Sequence, residues 1–302
     1  MRFSIYQDSL IGGRSYNQDR MGYCFTRDAL LMVVADGMGG HLRGEVAAQL
    51  TLQAAAAAFQ QAARPSIADP AGFLDLSLRR GHRDILRYQE ANNMPESPRT
   101  TVVACIIQHG HAWWAHAGDS RLYWIRQGDC VARTEDHSKV QNLVNLGLIK
   151  PEEQETHPER NKVLNCLGSP FEPTIELSGA HELARGDRII LCSDGVWSAL
   201  DDSSLCSALT AAPLLTSVPA LVQRAVSAEG PSADNATALA VHWEGDEGET
   251  DLSSQEVPDG AITTTIAVGL TDEEDESEDI SDDEIEKTIR EIRDAIEKTG
   301  GN

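Results

Sequence analysis

The sequence predicts an α+β fold in which antiparallel sheets carry helices on their outer faces, and three observations lead there. About ten short runs are apolar throughout or alternate with period two. The long helical stretches arrive as a consecutive pair instead of alternating with the strands. Tight turns such as RQGDC at 126–130 join successive strands, which suits antiparallel pairing and not a βαβ array.

In chain order, strands are expected at 2–7, 21–26 and 30–35, the last an unbroken apolar run of the kind buried on both faces. Two helices follow, GEVAAQLTLQAAAAAFQQAA at 44–63 and GFLDLSLRRGHRDILRYQEAN at 72–92, the first rich in the best helix-forming residue. Strands return at 100–108, 111–117, 120–126 and 130–134. A short helix near 139–147, strands at 173–178 and 187–192, helices at 201–210 and 215–228, and a strand at 236–243 complete the body. No internal repeat interrupts this order.

A chain of 302 residues is long enough for a sizeable core, but its net charge of −23 is unevenly spread. Residues 244–302 hold 21 acids and 4 bases, leaving 27 acids and 21 bases before them. The body therefore lacks the Lys and Arg clusters that hold phosphate backbones, which argues against nucleic-acid or anionic-membrane partners. Its six cysteines are widely spaced, mostly inside apolar runs, and read as reduced core residues. No stretch approaches the ~20 apolar residues of a membrane span, and the expected location is cytoplasmic. At 244 large apolar residues almost vanish, so a domain over 1–243 should give way to an acidic disordered linker over 244–281. Beyond it, Ile285, Ile289, Ile292 and Ile296 form one apolar stripe, predicting an amphipathic helix over 282–299 that recruits a partner or self-associates.

Candidate chemistry lies in five aspartates at strand edges: Asp19 in GRSYNQD, Asp36 in VVADGMGGH, Asp119 in HAGDSRLYW, Asp194 in RIILCSDGVW and Asp234 in GPSADNATALAV. Any one of them is an ordinary turn former. If they converge, each close pair costs about 4 kcal/mol at ~4 Å and an effective dielectric of ~20, so a cation must sit among them. No His or Cys occupies the ligand-like positions; an all-oxygen set suits magnesium or manganese. Gly37, directly after Asp36, can turn its carbonyl toward the same ion because it has no side chain in the way.

Eight ordered blocks, GRSYNQD, VVADGMGGH, RTTVVACI, HAGDSRLYW, TEDHS, VLNCLG, GDRIILCSDGVW and DNATALAV, resemble the metal-dependent protein phosphatases, the type 2C serine/threonine phosphatases, in their compact bacterial form. The resemblance covers essentially all of residues 1–243. It implies a four-layer αββα sandwich of two antiparallel sheets flanked by helices, with metals at one edge. It also implies manganese or magnesium, two ions in the main site and a weaker third. Asp36 would bridge the first two, with the Gly37 carbonyl on one; Asp194 and Asp234 would complete the second, and Asp19 and Gln18 would act at the first through its waters. Asp119 with Asp194 would hold the third ion, and Arg14 would grip the substrate phosphate. The implied reaction is hydrolysis of phosphoserine and phosphothreonine in proteins by a water between the metals, reversing a bacterial serine/threonine kinase.

The chain also departs from the pattern of the family it resembles. Many members have Glu where this chain has Gln18, and some eukaryotic members have a His where it has Met38, which leaves the leaving-group acid open between His41 and a water on the third ion. Asp136, beside His137, is expected to cap a helix, Thr100 to hydrogen-bond beneath the site, and 138–161 to form a flap beside the cleft. Two other readings are a silent phosphatase-like sensor module, which should have lost some of these carboxylates, and a two-metal nuclease, which needs a basic path that the body lacks.

Overall fold

Alternation along single strands produces the layers. In β3 (Ala29–Asp36), Leu30, Met32 and Val34 enter one buried cluster while Leu31, Val33 and Ala35 enter another, so both faces are covered, as its unbroken apolar run predicts. β10 (Arg188–Cys192) repeats this, sending Ile189 and Leu191 one way and Ile190 and Cys192 the other. The computed structural model describes residues 1–38, 43–154, 156–246 and 263–268, the last as backbone only.

The remaining strands are β1 (Arg2–Leu10), β2 (Asp19–Phe25), β4 (Val102–Gln108), β5 (His111–Ala117), β6 (Arg121–Arg126), β7 (Asp129–Arg133), β8 (Glu176–Leu177), β9 (His181–Glu182), β11 (Ala236–Gly245) and β12 (Thr263–Val268). One five-stranded sheet runs β1-β11-β10-β6-β7; the other, seven-stranded, runs β12-β2-β3-β4-β5-β8, with β9 also pairing β5. Neighbouring strands pair antiparallel throughout. Between the sheets lie Met32, Val34, Val103, Leu122, Trp124, Leu191, Leu239 and Val241.

Helices close both outer faces. α1 (Gly44–Ala62) and α2 (Pro70–Ala91) set Ala48, Leu52, Phe59, Leu74 and Leu78 against the larger sheet. α2 starts where Asp69 accepts a hydrogen bond from the Gly72 N–H and Pro70 fills the first turn. α4 (Asp194–Trp197), α5 (Asp202–Thr210) and α6 (Leu214–Glu229) cover the smaller sheet, where Ala236, Ala238 and Ala240 keep β11 low beneath them. α3 (Lys139–Asn145) lies in the segment read as a flap. These layers are the α+β, αββα sandwich that the sequence implies.

Three elements differ from expectation. The strand expected at 173–178 is reduced to the two-residue β8, with β9 added after it, and the one expected at 100–108 starts at Val102. The tail contributes β12, whose residues pair with β2 from Thr263 opposite Phe25 to Val268 opposite Arg20. Thr, Ile and Val favour pleated backbone, and β12 covers an edge that β2 would otherwise leave open. The linker expected over 244–281 therefore contains a strand. The isoleucine helix expected over 282–299 lies outside the described residues, as does His41. No described helix is long and apolar enough to cross a membrane.

Candidate metal centre

Strand register gathers the carboxylates. Asp19 opens β2 and stands directly opposite Asp36, the last residue of β3. In the other sheet, Cys192 at the end of β10 pairs with Arg121 at the start of β6 and with Ala238 near the start of β11. Asp119 just before β6, Asp194 just after β10 and Asp234 just before β11 therefore share one edge. All of them bear on Asp36 electrostatically, so the two sheet edges meet in a single cluster.

That cluster is anionic and poorly solvated. Burial, followed by the neighbouring carboxylates, pushes Asp19 up to about 7 and Asp194 up to about 6. The same causes in the same order raise Asp36 and Asp119 well above the ordinary carboxylate range. Ser193 donates to Asp19 Oδ2 at 2.7 Å, but Asp19 Oδ1 is buried with no hydrogen-bond partner among the described residues. A buried acceptor left unpaired, inside a group of like charges, is what a divalent cation would satisfy. The donors are oxygens alone, matching a hard ion.

Close backbone contact shapes the floor. A Cβ on Gly37 would stand 2.4 Å from the Gly44 carbonyl carbon and 2.8 Å from the Gln18 oxygen, so only glycine lets β3, the Gln18 strand entry and the start of α1 touch. Thr100 Oγ1 donates to the Asp36 carbonyl at 2.8 Å, and the Thr101 N–H donates to it at 2.9 Å, fixing the end of β3. Gln18, 8% exposed, turns its amide to Glu45 at 3.3 Å.

Arg14 reaches the cluster through Asp234, with Nη2 2.6 Å from Oδ2 and its side chain half exposed. Asn235, which the sequence reading passed over, holds the Arg14 loop. Its Oδ1 accepts from the Gln18 N–H at 2.8 Å, and its Nδ2 donates to the carbonyls of Ile11 at 2.8 Å and Tyr16 at 3.2 Å. Gly12, at φ +65°, packs so close that a Cβ would lie 2.3 Å from the Asp234 carbonyl oxygen. An Asn directly after a candidate ligand was the available signal.

Asp136 is not the cap the sequence suggested; Ser138 caps α3 by accepting from the Gln141 N–H at 3.2 Å. The Asp136 carboxylate instead takes Arg121 at both oxygens, at 2.8 and 2.7 Å, with both residues buried. The Arg121 guanidinium stacks 3.6 Å above the Trp197 ring, and Trp197 Nε1 donates to the Asp119 carbonyl at 2.9 Å. Arg121, also unmarked from sequence, thus stiffens the backbone that presents Asp119.

His116, His137 and Glu176 form a separate group whose ligand atoms lie within 4.8 Å of one another. The Gly118 N–H and Asn165 Nδ2 both donate to His137 Nδ1, so in the neutral ring the proton sits on Nε2, facing Glu176 Oε2 at 3.3 Å. This arrangement is a hydrogen-bonded stack and not a ligand set, because His137 has no lone pair left to offer.

A family model described as Protein phosphatase 2C matches residues 7–240. The chain belongs to the protein phosphatase 2C family. Among curated relatives within the family, it is 36% identical over 212 residues to the serine/threonine protein phosphatase PstP of Mycobacterium tuberculosis, covering 70% of this chain and 40% of that protein. The chain thus spans about two fifths of the length of that relative. It is 30% identical over 242 residues to the protein phosphatase PhpP of Streptococcus pneumoniae, covering 78% of this chain and 95% of that one. A crystal structure of Mycobacterium tuberculosis PstP/Ppp superposes with a TM-score of 0.70 at 33% identity, over 80% of this chain and 99% of that chain. The catalytic domain of PstP in complex with 2 manganese ions gives 0.65 at 32% identity, over 80% and 97%. The αββα sandwich is therefore the fold of a protein phosphatase 2C.

Proposed function

We propose that this chain hydrolyses phosphoserine and phosphothreonine in proteins with the help of two divalent ions, manganese or magnesium, and a weaker third. The observation that supports this best is the five-aspartate edge with its unpartnered Asp19 oxygen, in a chain of this family. Asp19, Asp36, Gly37, Asp194 and Asp234 would hold the two main ions, and Asp119 with Asp194 the third. When bound, such ions neutralise the carboxylates and activate water for attack on phosphorus.

The chain's own residues do the rest. Arg14 presents a planar fork to two phosphate oxygens, a geometry lysine lacks, and Asp234 aims it while solvent still reaches it. Asn235 and Gly12 fix the loop that carries it, so little ordering remains when phosphate arrives. Arg121 and Trp197 keep Asp119 at the rim. The segment 138–161 beside the cleft would contact the phosphoprotein. A cognate serine/threonine kinase and its cytoplasmic targets, and a partner recruited by the tail, belong to this proposal too.

Release of phosphate from phosphothreonine peptides tests it, with manganese present or removed by EDTA, in the wild type and in Asp194→Asn. Turnover should need the metal and Asp194. Full activity in EDTA, or in the variant, overturns the reading.

A further inference from the structure

Of the six cysteines, five are buried, and Cys130 is exposed. It sits on β7, the edge strand of the smaller sheet, at the end opposite the carboxylates. Cys130 is the register partner of Ile125, and Arg133 that of Tyr123. Ile125 and Tyr123 face the helix layer, in a cluster that includes Leu205, Cys206 and Leu209 of α5. Directly opposed residues share a face, so Cys130 and Arg133 also point toward α5, while Ala132 turns to the inter-sheet core. Cys206 lies there 1% exposed and acts directly on Cys130, whose own Sγ lies 3.5 Å from the Ala132 carbonyl oxygen.

The surroundings favour a thiolate at one sulfur only. The Cys206 side chain beside it draws the Cys130 thiol down to about 7 against burial and Asp202, with Arg133 acting in the same direction as Cys206. That arginine binds Asp202 through Nε at 3.1 Å, while its Nη1 is buried without a partner among the described residues. Cys206 is raised by the same contact and by burial. Burial alone raises Cys105, and burial first of all takes Cys192 up to about 12; thiols of that kind are inert. Cys130 is accessible, and a second thiol lies on the α5 side that it faces.

We propose that Cys130 and Cys206 form a two-thiol oxidation site that hydrogen peroxide converts to a reversible disulfide linking β7 to α5. In the first step the Cys130 thiolate attacks a peroxide oxygen; an S–O bond forms, the O–O bond breaks, and the departing hydroxide takes a proton to leave as water. Cys130 is then a sulfenic acid. In the second step the Cys206 sulfur attacks the Cys130 sulfur, forming S–S and breaking S–O, and the hydroxide leaves as water with the Cys206 proton. Two thiols lose two electrons in total, and the peroxide is reduced to two waters. β7 is an edge strand with a register shift opposite Trp124 and Ile125, so it can move toward α5 without breaking an inner ladder.

The test treats the full chain with one equivalent of hydrogen peroxide and maps its peptides without reduction. The expected product joins the Cys130 and Cys206 peptides, disappears with dithiothreitol, and forms at least about tenfold faster than any adduct at the other four cysteines. In Cys206→Ser the sulfenic acid should persist on Cys130 and be captured by dimedone, and in Cys130→Ser the buried thiol should stay reduced. If Cys206→Ser does not fold, the wild-type map decides alone. Overoxidation of Cys130 to sulfinic acid with Cys206 still reduced, a link between two chains, or no preference for Cys130 overturns the proposal.

Discussion

The two ends of β10 carry buried or half-buried aspartates in opposite electrostatic conditions. Asp187, just before the strand and 1% exposed, receives Arg126 at both oxygens at 2.8 Å, Trp124 Nε1 at 2.9 Å and the Ala184 N–H at 2.9 Å. Burial alone would raise its carboxyl, but the bonds from Arg126, Ala184 and Trp124 together hold it below the ordinary range. Asp194, just after the strand, has Asp36 and Asp234 as neighbours and is pushed up to about 6 by burial and by Asp234. One end has four donors on the two oxygens of a single carboxylate, and the other has acceptors waiting for a cation. A saturated carboxylate holds the fold, whereas an unsaturated one is poised to bind.

The widest separation between the ends should come from Asp36→Asn. Removing that charge from the metal edge is expected to lower kcat/KM on an aryl phosphate by about 10³-fold or more. In EDTA the same change relieves repulsion with Asp19, so the unfolding midpoint should rise. A variant that keeps its activity, or that melts lower without metal, breaks the contrast. Asp187→Ala should do the reverse: unfolding free energy falls by about 3 kcal/mol, since Arg126 and Trp124 lose their acceptor, while turnover per folded molecule is unchanged. Urea titration paired with the aryl phosphate assay checks both.

The ends should also differ in the sign of their pH dependence. Asp19 and Asp194 have folded values of about 7 and about 6 against 3.8 for the isolated side chain, so the folded chain binds more protons than the unfolded one between those limits. In EDTA, stability from this end is fully present below pH 3.8 and is lost as pH rises toward 7. The Asp187 value is depressed, so its contribution is present above 3.8 and is lost only as pH falls through its folded value. Manganese should flatten the first slope and leave the second untouched. Melting curves from pH 2 to 8, with metal and with EDTA, measure both, and an EDTA curve that rises between pH 4 and 7 contradicts the assignment.

How much of this was legible follows from how local each signal was. The runs LLMVVA and RIILC announce strands buried on both faces, and an Asp closing such a run stands out because nothing in the run explains it. The supports are non-local. Arg121 meets Asp136 and Trp197 across long stretches of chain, and Asn235 clamps a loop more than two hundred residues away in sequence, so neither could be read from its own neighbourhood. β12 was hidden differently: TTTIAV has strong strand character, but a composition averaged over its acidic surroundings conceals a six-residue strand. The exposure of Cys130 depends on β7 being an edge strand, a fact of topology and not of the motif DCVAR.

The smallest predicted effect compares two arginines that each hold an aspartate. Arg126 and Asp187 make two parallel contacts around a carboxylate that is 1% exposed, whereas Arg14 makes one at 2.6 Å to Asp234, with side chains 53% and 38% exposed. A lysine can replace one contact but not a fork. Arg126→Lys should therefore lower stability by about 1 kcal/mol and leave turnover alone. Arg14→Lys should stay within about 0.5 kcal/mol of the wild type in stability, because an exposed ion pair contributes little. Its loss should appear in catalysis, about tenfold in kcat/KM, since the second phosphate oxygen is left unbound. The loss should be nearly the same for an aryl phosphate and a phosphothreonine peptide, because Arg14 would contact the phosphate and not the leaving group. If the peptide suffers far more, Arg14 recognises the protein chain and its role as the phosphate fork is wrong.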